Sequence, residues 1–458
     1  MKLSAILVLA AGRGTRMRSS LPKVLHALAG RPLLAHVLDG ARRLAPQRLA
    51  VVIGHGGEQV RQAFPDADLS WIEQTEQKGT AHAVSTALPL LEGLEGEVIV
   101  LNGDTPLVDG DFLEALLTDH RQQQRAVTVV STLLETPRGY GRVVRDGEGE
   151  LLSIVEEKDA SPVQREIREV NAGVYCIDLS QLAPLLARIT PHNAQGEFYL
   201  TDIISLGLEA GLNIGVFCHE DAASLAGINS RQQLAGMEAL YRDRLVRRFM
   251  DEGVTFVDPT SCWLAWDVAL GTDCIIEPHV ILGPGVSIGE GCHIGPFCQL
   301  RHSRLGPGCE VSAFSHLDGV VAQGPNAIGP YARLRPGTQL AARARVGNFC
   351  ETKKAIIGEG AKINHLSYLG DCQVGADVNV GAGTITCNYD GVNKHTTIIE
   401  EGAFIGSDTQ LVAPVTVGHH AVVGAGTTVT KDVPPEALAV SRTAQTHILN
   451  WRRRKIRE

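Results

Sequence analysis

Bulky side chains are scarce in this chain of 458 residues, which has 4 Trp, 7 Tyr, 10 Phe and 4 Met against 49 Gly. Few large core side chains and many tight turns together point to a stretch of repetitive β-structure. The ten cysteines never occur as CxxC, so neither a structural zinc site nor a redox dithiol is signalled, and reduced thiols of a cytosolic chain fit best. No run approaches the roughly 18 apolar residues of a membrane span. Basic charge is not in surplus either, and a formal net charge of −9 argues against a dedicated nucleic-acid binder. The opening stretch, Lys2 and then apolar Leu3 to Ala11, imitates a signal peptide. Its apolar run is short, however, and Arg13, Arg16 and Arg18 stand where a cleavage site belongs, so it reads as the buried first strand of a soluble protein.

The length calls for two domains or more. Over residues 1–229, strand-like runs (Ala5 to Leu9, Arg48 to Ile53, Glu97 to Leu101, Ala126 to Leu134) alternate with helical ones (Pro32 to Leu44, Ala81 to Leu90, Asp111 to Gln123). This alternation predicts an α/β, Rossmann-like domain with a largely parallel sheet. Residues 230–252 have helical apolar spacing (Leu234, Met237, Leu240, Leu245, Phe249) and read as a connecting helix. Over 253–458 the period changes: Ile276, Leu282, Ile288, Ile294 and Leu300 recur every six residues, as do Ile328 to Val346, Ile357 to Leu369, Val374 and Val380, and Ile399 to Val429. One inward aliphatic per six residues suits a short strand and a tight turn, stacked into a parallel β-helix. Spacing does not give its hand.

In the first domain, Leu9-Ala10-Ala11-Gly12-Arg13-Gly14-Thr15-Arg16-Met17 ends the first strand, and Pro22-Lys23 follows. A glycine-rich loop there presents backbone N–H groups to anionic oxygens. It is not a Walker loop, because no Gly-Lys-Ser/Thr follows, and not the dinucleotide fingerprint, because Met17 replaces the third Gly. Two cations, Arg16 and Lys23, stand beside it, as a polyphosphate leaving group requires; a plain glycine turn with surface cations is the alternative. A second apolar strand ends in Asn102-Gly103-Asp104, an acid placed to hold Mg²⁺ against phosphate. In the second domain, Arg333 to Gly337 and Asn348 to Lys354 put cations about one coil apart, and Asn364 to Gly370 adds a His and a Tyr. Gly381 to Gly391 interrupts the sixes and must leave the coil as a loop. Such a set suits a phosphorylated amino-sugar and an acyl donor, with His365 a candidate base.

The segment GxGTRM followed by PK resembles the sugar-phosphate nucleotidyltransferases, which join a nucleoside triphosphate to a sugar 1-phosphate with release of pyrophosphate. Together with Arg-Leu-Arg-Pro-Gly at 333–337, Asn-His-Leu-Ser-Tyr-Leu-Gly at 364–370 and GAGTITCNYDG at 381–391, the whole chain resembles the bacterial bifunctional glucosamine-1-phosphate N-acetyltransferase/N-acetylglucosamine-1-phosphate uridylyltransferases. The resemblance implies a left-handed β-helix and a homotrimer. It implies UTP and the sugar held by Leu9, Ala10, Ala11, Gly12, Lys23, Gln74, Gly79, Thr80, Asn102, Gly103, Asp104, Gly141, Glu156, Asn171 and Asn229, with Mg²⁺ on Asp104 and Asn229. Asn102 departs from the Tyr expected there. It further implies His365 as base, Arg335 and Lys353 on the phosphate, and Tyr368 and Asn379 on the sugar. Acetyl-CoA would lie on Ala382, Asn388, Tyr389, Ser407, Ala425 and Arg442. The basic tail after Thr430 reads mainly as a solvated end. Two rivals remain at this level: a nucleotidyltransferase whose β-helix only assembles or regulates, and a non-catalytic nucleotide-sugar scaffold.

Overall fold

Uninterrupted apolar runs such as Ala5–Ala10 cannot serve as half-exposed strands; they need cover on both faces. The computed structural model, which describes residues 3–441 and 444–452, provides it. The chain divides into two compact units, Met1–Tyr241 and Arg242–Glu458. Among the described residues no helix is long and apolar enough to cross a membrane.

The first unit is built on a nine-stranded sheet: β1 (Ala5–Ala10), β2 (Arg48–Ile53), β3 (Leu69–Glu73), β4 (Glu97–Asn102), β5 (Val127–Leu133), β6 (Arg142–Arg145), β7 (Leu151–Val155), β8 (Glu169–Asp178) and β9 (Ile214–Cys218). Its order is β9-β5-β8-β4-β1-β2-β3, with β6 beside β8 and β7. Alternate residues of β1 enter different cores. Ile6 and Val8 pack with Leu34, Leu38 and Leu113, whereas Ala5 and Leu7 pack with Val84, Leu182 and Ile203 on the other face. Helices therefore cover both sides. The chain leaves β1 for β2 and β3 and then returns to β4 on the opposite side of β1, so the carboxyl ends of β1 and β4 flank a topological switch point, where such sheets bind ligands.

The sheet is largely parallel, as expected, with β8 alone on the main path running antiparallel, between β4 and β5. Apolar strands of either direction look alike in sequence. The expected helix Ala81 to Leu90 is two, Thr80–Ser85 and Leu88–Leu91. Pro89 lacks the N–H that a continuous helix would use and is tolerated only in a new first turn.

In the second unit every inward aliphatic of the six-residue pattern is buried, from Ile276 and Leu282 to Val423 and Val429. Strand partners in successive coils are 17 or 18 residues apart (Ile275, His293, Glu310, Ala327, Arg345, Lys362, Asn379), all parallel. Between Asn379 and Phe404 the spacing rises to 25, because a hairpin with a Tyr389–Lys394 bridge leaves the coil after Cys387. Glycine after an inward aliphatic serves close coil stacking rather than an unusual dihedral. A Cβ on Gly289 would lie 2.8 Å from Pro307 N, and one on Gly295 2.8 Å from Ala313 N. One corner instead uses the left-handed region with side chains present. His279, Phe297, Phe314, Tyr331 and Phe349 have φ of 56–60°, and their rings stack with centroids 4.7–5.2 Å apart on the outside of the prism. Stacking of this kind offsets part of the backbone strain of about 1–2 kcal/mol per residue.

Candidate active sites

The glycine loop leaves β1 at the switch point. A Cβ added to Gly12 would meet nothing within 4 Å, so the backbone there faces open space. Gly14 has φ +59°, and a Cβ there would lie 2.8 Å from Lys23 Cβ, so only glycine lets the loop pass this close to Lys23. Lys23 begins a short 3-10 turn, and its ammonium donates to Asp104 Oδ2 and to Asn229 Oδ1 (3.1 Å). Three distant segments thus meet at one charge. The Ile228 N–H donates to the Asp104 carbonyl (3.0 Å), which joins the Asn229 segment to the end of β4.

Two cavities open on this point. The larger, about 700 Å³, is lined by Leu9, Ala10, Ala11, Gly12, Lys23, Gln74, Gly79, Thr80, Asn102 and Asp104. Its neighbour, about 240 Å³, is lined by Arg16, Gly141, Glu156, Asn171 and Asn229 and shares Leu9, Thr80, Asn102 and Asp104 with the first. Gly103 lines neither; its N–H donates to the Leu9 carbonyl (2.9 Å) and fixes the end of β4 against β1. Gln74 donates to the Gly79 carbonyl (3.2 Å), and Thr80 Oγ1 accepts from Leu200 N (3.0 Å), so both side chains are held before any ligand arrives. In β8 the register shifts between Asn171 and Tyr175. This bulge lets Asn171 accept from Gly173 N (2.8 Å) and donate to the Tyr175 hydroxyl (2.8 Å). Burial pushes the Glu156 carboxyl above its ordinary pKa, opposed by a hydrogen bond from Thr201. Burial, helped by the Asp104 charge, also raises the Tyr140 phenol. Not singled out as site residues from sequence were Arg13, Gln77 and Glu197, which also line the larger cavity, and Tyr140 and Thr201 in the smaller.

The second site follows a corner of the β-helix. His365 pairs in register with Asn348 one coil earlier, and its Nδ1 is 2.8 Å from Asn348 Oδ1. The amide oxygen accepts, so Nδ1 carries a proton, and of the two neutral tautomers this contact selects the one whose lone pair is on Nε2. Extending the register places Ala382 on the next coil, then Ser407 and Ala425. These three predicted residues therefore form one column continuing from His365, and the N–H groups of Asp408 and Gly426 donate to the Ala382 and Ser407 carbonyls (2.7 and 2.8 Å). Further along the coil of His365, Tyr368 pairs with Glu351, and Lys353 pairs with Gly370. Arg335 donates to Glu351 Oε1 (2.9 Å). Asn379 lies in register with Lys362, one coil beyond.

The nearby Lys394 ammonium, with burial a smaller cause, lowers the pKa of Lys353. The Arg335 charge acts in the same direction, and the Asp371 carboxylate opposes both. Asn388 Nδ2 donates to Asp371 Oδ2 (2.5 Å), whereas exposed Tyr389 donates to its own hairpin at the Gly391 carbonyl (2.6 Å). Two Asx-type bonds, from Asn393 N and Val392 N, and the His395 ring hold Asp390, whose pKa falls to about 2. Asn348, Glu351, Asp371 and Lys394 were not singled out as site residues from sequence. Arg442 lies outside the described residues.

An α/β unit with a cation-flanked cavity at its switch point, followed by a β-helix with a histidine and a cation cluster, has the make-up of a two-site transferase. Comparisons agree in both halves. Residues 6–173 match the family model described as a MobA-like NTP transferase domain, and residues 267–302 and 396–431 match the bacterial transferase hexapeptide (six repeats). Over 98% of both chains, the sequence is 46% identical to the Bifunctional protein GlmU of Marinobacter nauticus. It is 50% identical to those of Heliobacterium modesticaldum (95% of both chains) and Azotobacter vinelandii (98% of both). The chain belongs to the bifunctional GlmU family. It is a glucosamine-1-phosphate N-acetyltransferase and an N-acetylglucosamine-1-phosphate uridylyltransferase, with a nucleotidyltransferase domain and a left-handed β-helix of hexapeptide repeats. Acetyl-CoA supplies the acetyl group and UTP the uridylyl group.

Proposed function

We propose that uridylyl transfer takes place over the carboxyl ends of β1 and β4 and acetyl transfer at the His365 corner. Residues 1–229 carry the first reaction and 253–458 the second, with 230–252 as a connecting helix. The observation that carries this reading is the meeting of Lys23, Asp104 and Asn229 from three remote segments beside an open glycine loop.

In the first reaction, Leu9 to Gly12, Gln74, Gly79 and Thr80 bind the nucleotide, and Asn102, Gly141, Glu156 and Asn171 bind the sugar phosphate, while Gly103 acts through the backbone by holding the end of β4 against β1. A phosphate oxygen of N-acetylglucosamine 1-phosphate attacks the α-phosphorus of UTP and pyrophosphate leaves. The nucleophile is already anionic, so no general base is needed, and alignment and charge neutralisation supply the rate. Arg16 and Lys23 neutralise the departing pyrophosphate. The donor set fits Mg²⁺: two hard oxygens, Asp104 Oδ2 and Asn229 Oδ1, already converge on one cationic group. Asp104 and Asn229 would hold the ion, which when bound neutralises phosphate charge.

In the second reaction, Arg335 and Lys353 hold the substrate phosphate and Tyr368 and Asn379 orient the sugar. His365 Nε2 takes a proton from the amine as its nitrogen bonds to the thioester carbonyl; the C–S bond then breaks and CoA leaves as the thiol. Asn388 donates to the oxyanion, and acetyl-CoA lies along Ala382, Tyr389, Ser407, Ala425 and Arg442. The protein works as a cytoplasmic homotrimer on small molecules, without nucleic-acid or membrane partners; its ten unpaired thiols support a reducing compartment and its exposed ring ladder supports association.

Asp104→Ala is expected to lower pyrophosphate release from UTP by at least about 100-fold while thiol release from acetyl-CoA continues, and His365→Ala to do the reverse. Survival of both activities in either variant overturns the assignment.

A further inference from the structure

Asn229 is followed at once by the helix Arg231–Asp251, and the first turn of that helix reaches back to the phosphate loop. Arg231 Nε donates to the Met17 carbonyl (3.4 Å), and its Nη1 is 3.3 Å from His26 Nδ1. Met17 is the last residue of the turn Thr15–Met17 that carries Arg16, and His26 closes the turn Lys23–Leu25, its N–H donating to the Lys23 carbonyl (3.2 Å). Both residues are buried, and neither lines either of the two cavities described above. Two residues beyond Arg231, Gln233 accepts from Asn229 N (2.8 Å). A guanidinium only donates, so His26 Nδ1 accepts and the ring is neutral, with its proton on the buried Nε2. Burial, and next the charge of Arg231, hold the ring below its ordinary pKa, against a pull from the Leu21 backbone.

We propose that Arg231 is a positioning residue for uridylyl transfer. It ties the turn bearing Arg16 and the neighbouring turn bearing Lys23 to the segment bearing Asn229, so that three groups from two distant parts of the chain meet the triphosphate in one fixed arrangement. The inference rests on the reading that Arg16, Lys23 and Asn229 serve that reaction. Its leverage is geometric, since a shift of about 1 Å in a positioned group can cost about 100-fold in rate.

The test uses the full chain, with pyrophosphate release and thiol release measured on the same preparation. Arg231→Met is expected to lower kcat for uridylyl transfer by at least about 20-fold, to change the KM for N-acetylglucosamine 1-phosphate less than about threefold, and to leave thiol release unchanged. His26→Gln keeps an acceptor for the guanidinium and should stay within about threefold of the parent, whereas His26→Leu should reproduce Arg231→Met. The double variant should be no worse than Arg231→Met alone, because both changes break one contact. Near-parental kcat in Arg231→Met, a parallel fall in both activities, or equal damage from His26→Gln and His26→Leu overturns the proposal. Lys23→Ala separates the two possible failures. Full pyrophosphate release there removes the underlying reading, while its loss beside an unaffected Arg231→Met removes only the role of Arg231.

Discussion

Replacing Asn348 by Ala removes the acceptor that holds His365 Nδ1 at 2.8 Å. The His365 ring is exposed, so this bond has the modest worth of a hydrogen bond that competes with water, about 0.5–1.5 kcal/mol. Without it the ring samples the tautomer with its proton on Nε2, and that form cannot accept from the amine. Converted to rate, the loss is about 2- to 12-fold in kcat for acetyl transfer. Asn348→Asp probes the same contact from the other side. A carboxylate against Nδ1 keeps the productive tautomer but favours the protonated ring, so the acid limb of the kcat profile should move to higher pH while activity on the alkaline plateau is retained. Thiol release followed against pH, with pyrophosphate release as internal control, gives both readings. Unchanged kcat in Asn348→Ala together with an unmoved acid limb in Asn348→Asp would falsify the assignment of His365 as a base oriented from Nδ1.

Glu156 should illustrate the conflict between binding and stability. Because burial raises its carboxyl pKa, the folded state favours the proton, so its contribution to stability is full below the unfolded pKa and is lost as pH rises through the folded value. Glu156→Gln should therefore raise Tm at neutral pH, with the gain vanishing in acid, while uridylyl transfer falls. An equal Tm gain at all pH values would contradict this account. Leu334→Ala empties one inward position of the β-helix and should cost about 2–5 kcal/mol by urea unfolding, whereas exposed Ile356→Ala in a neighbouring coil should cost far less. Phe314 occupies φ 59° between Phe297 and Tyr331. Phe314→Ala loses about 0.5–1.5 kcal/mol of stacking and keeps the strain. Phe314→Gly relieves that strain and should be the more stable of the two in thermal denaturation.

What was legible in the sequence depended on whether a period or a direction carried the information. The inward column of the β-helix could be read position by position, because a six-residue repeat maps one residue onto one interior site and Ile276 to Val429 all proved buried. Strand β2 was placed at its observed limits, and β1 and β4 each proved one residue longer than expected, because a run covered on both faces is apolar throughout. The antiparallel course of β8 was not legible. Val170 to Ile177 is as apolar as a parallel strand, and its direction is set by the distant partners Val98–Val100 and Val127–Val129. The break before Pro89 was written in the chain, but apolar spacing at 81–90 outweighed it.

The site residues divide along the same line. Those next to a glycine motif or an apolar strand end, such as Lys23 and Asp104, announce themselves locally. Partners contributed by stacking do not, since Asn348 precedes His365 by a whole coil and the segment it opens drew notice for its lysines, not for an amide facing His365. Yet the coil length makes such partners computable. Once a turn of the prism is known to take 17 or 18 residues, each reactive side chain has neighbours at fixed offsets, and subtracting 17 from His365 gives Asn348. The same step from Gly370 gives Lys353, and 18 more gives Arg335, the two cations expected on the phosphate. A repeat scaffold thus converts a one-dimensional period into two-dimensional adjacency. The first unit has no such rule: Asp104 and Asn229 are 81 and 206 residues from Lys23 along the chain, and only the closed fold makes the three neighbours.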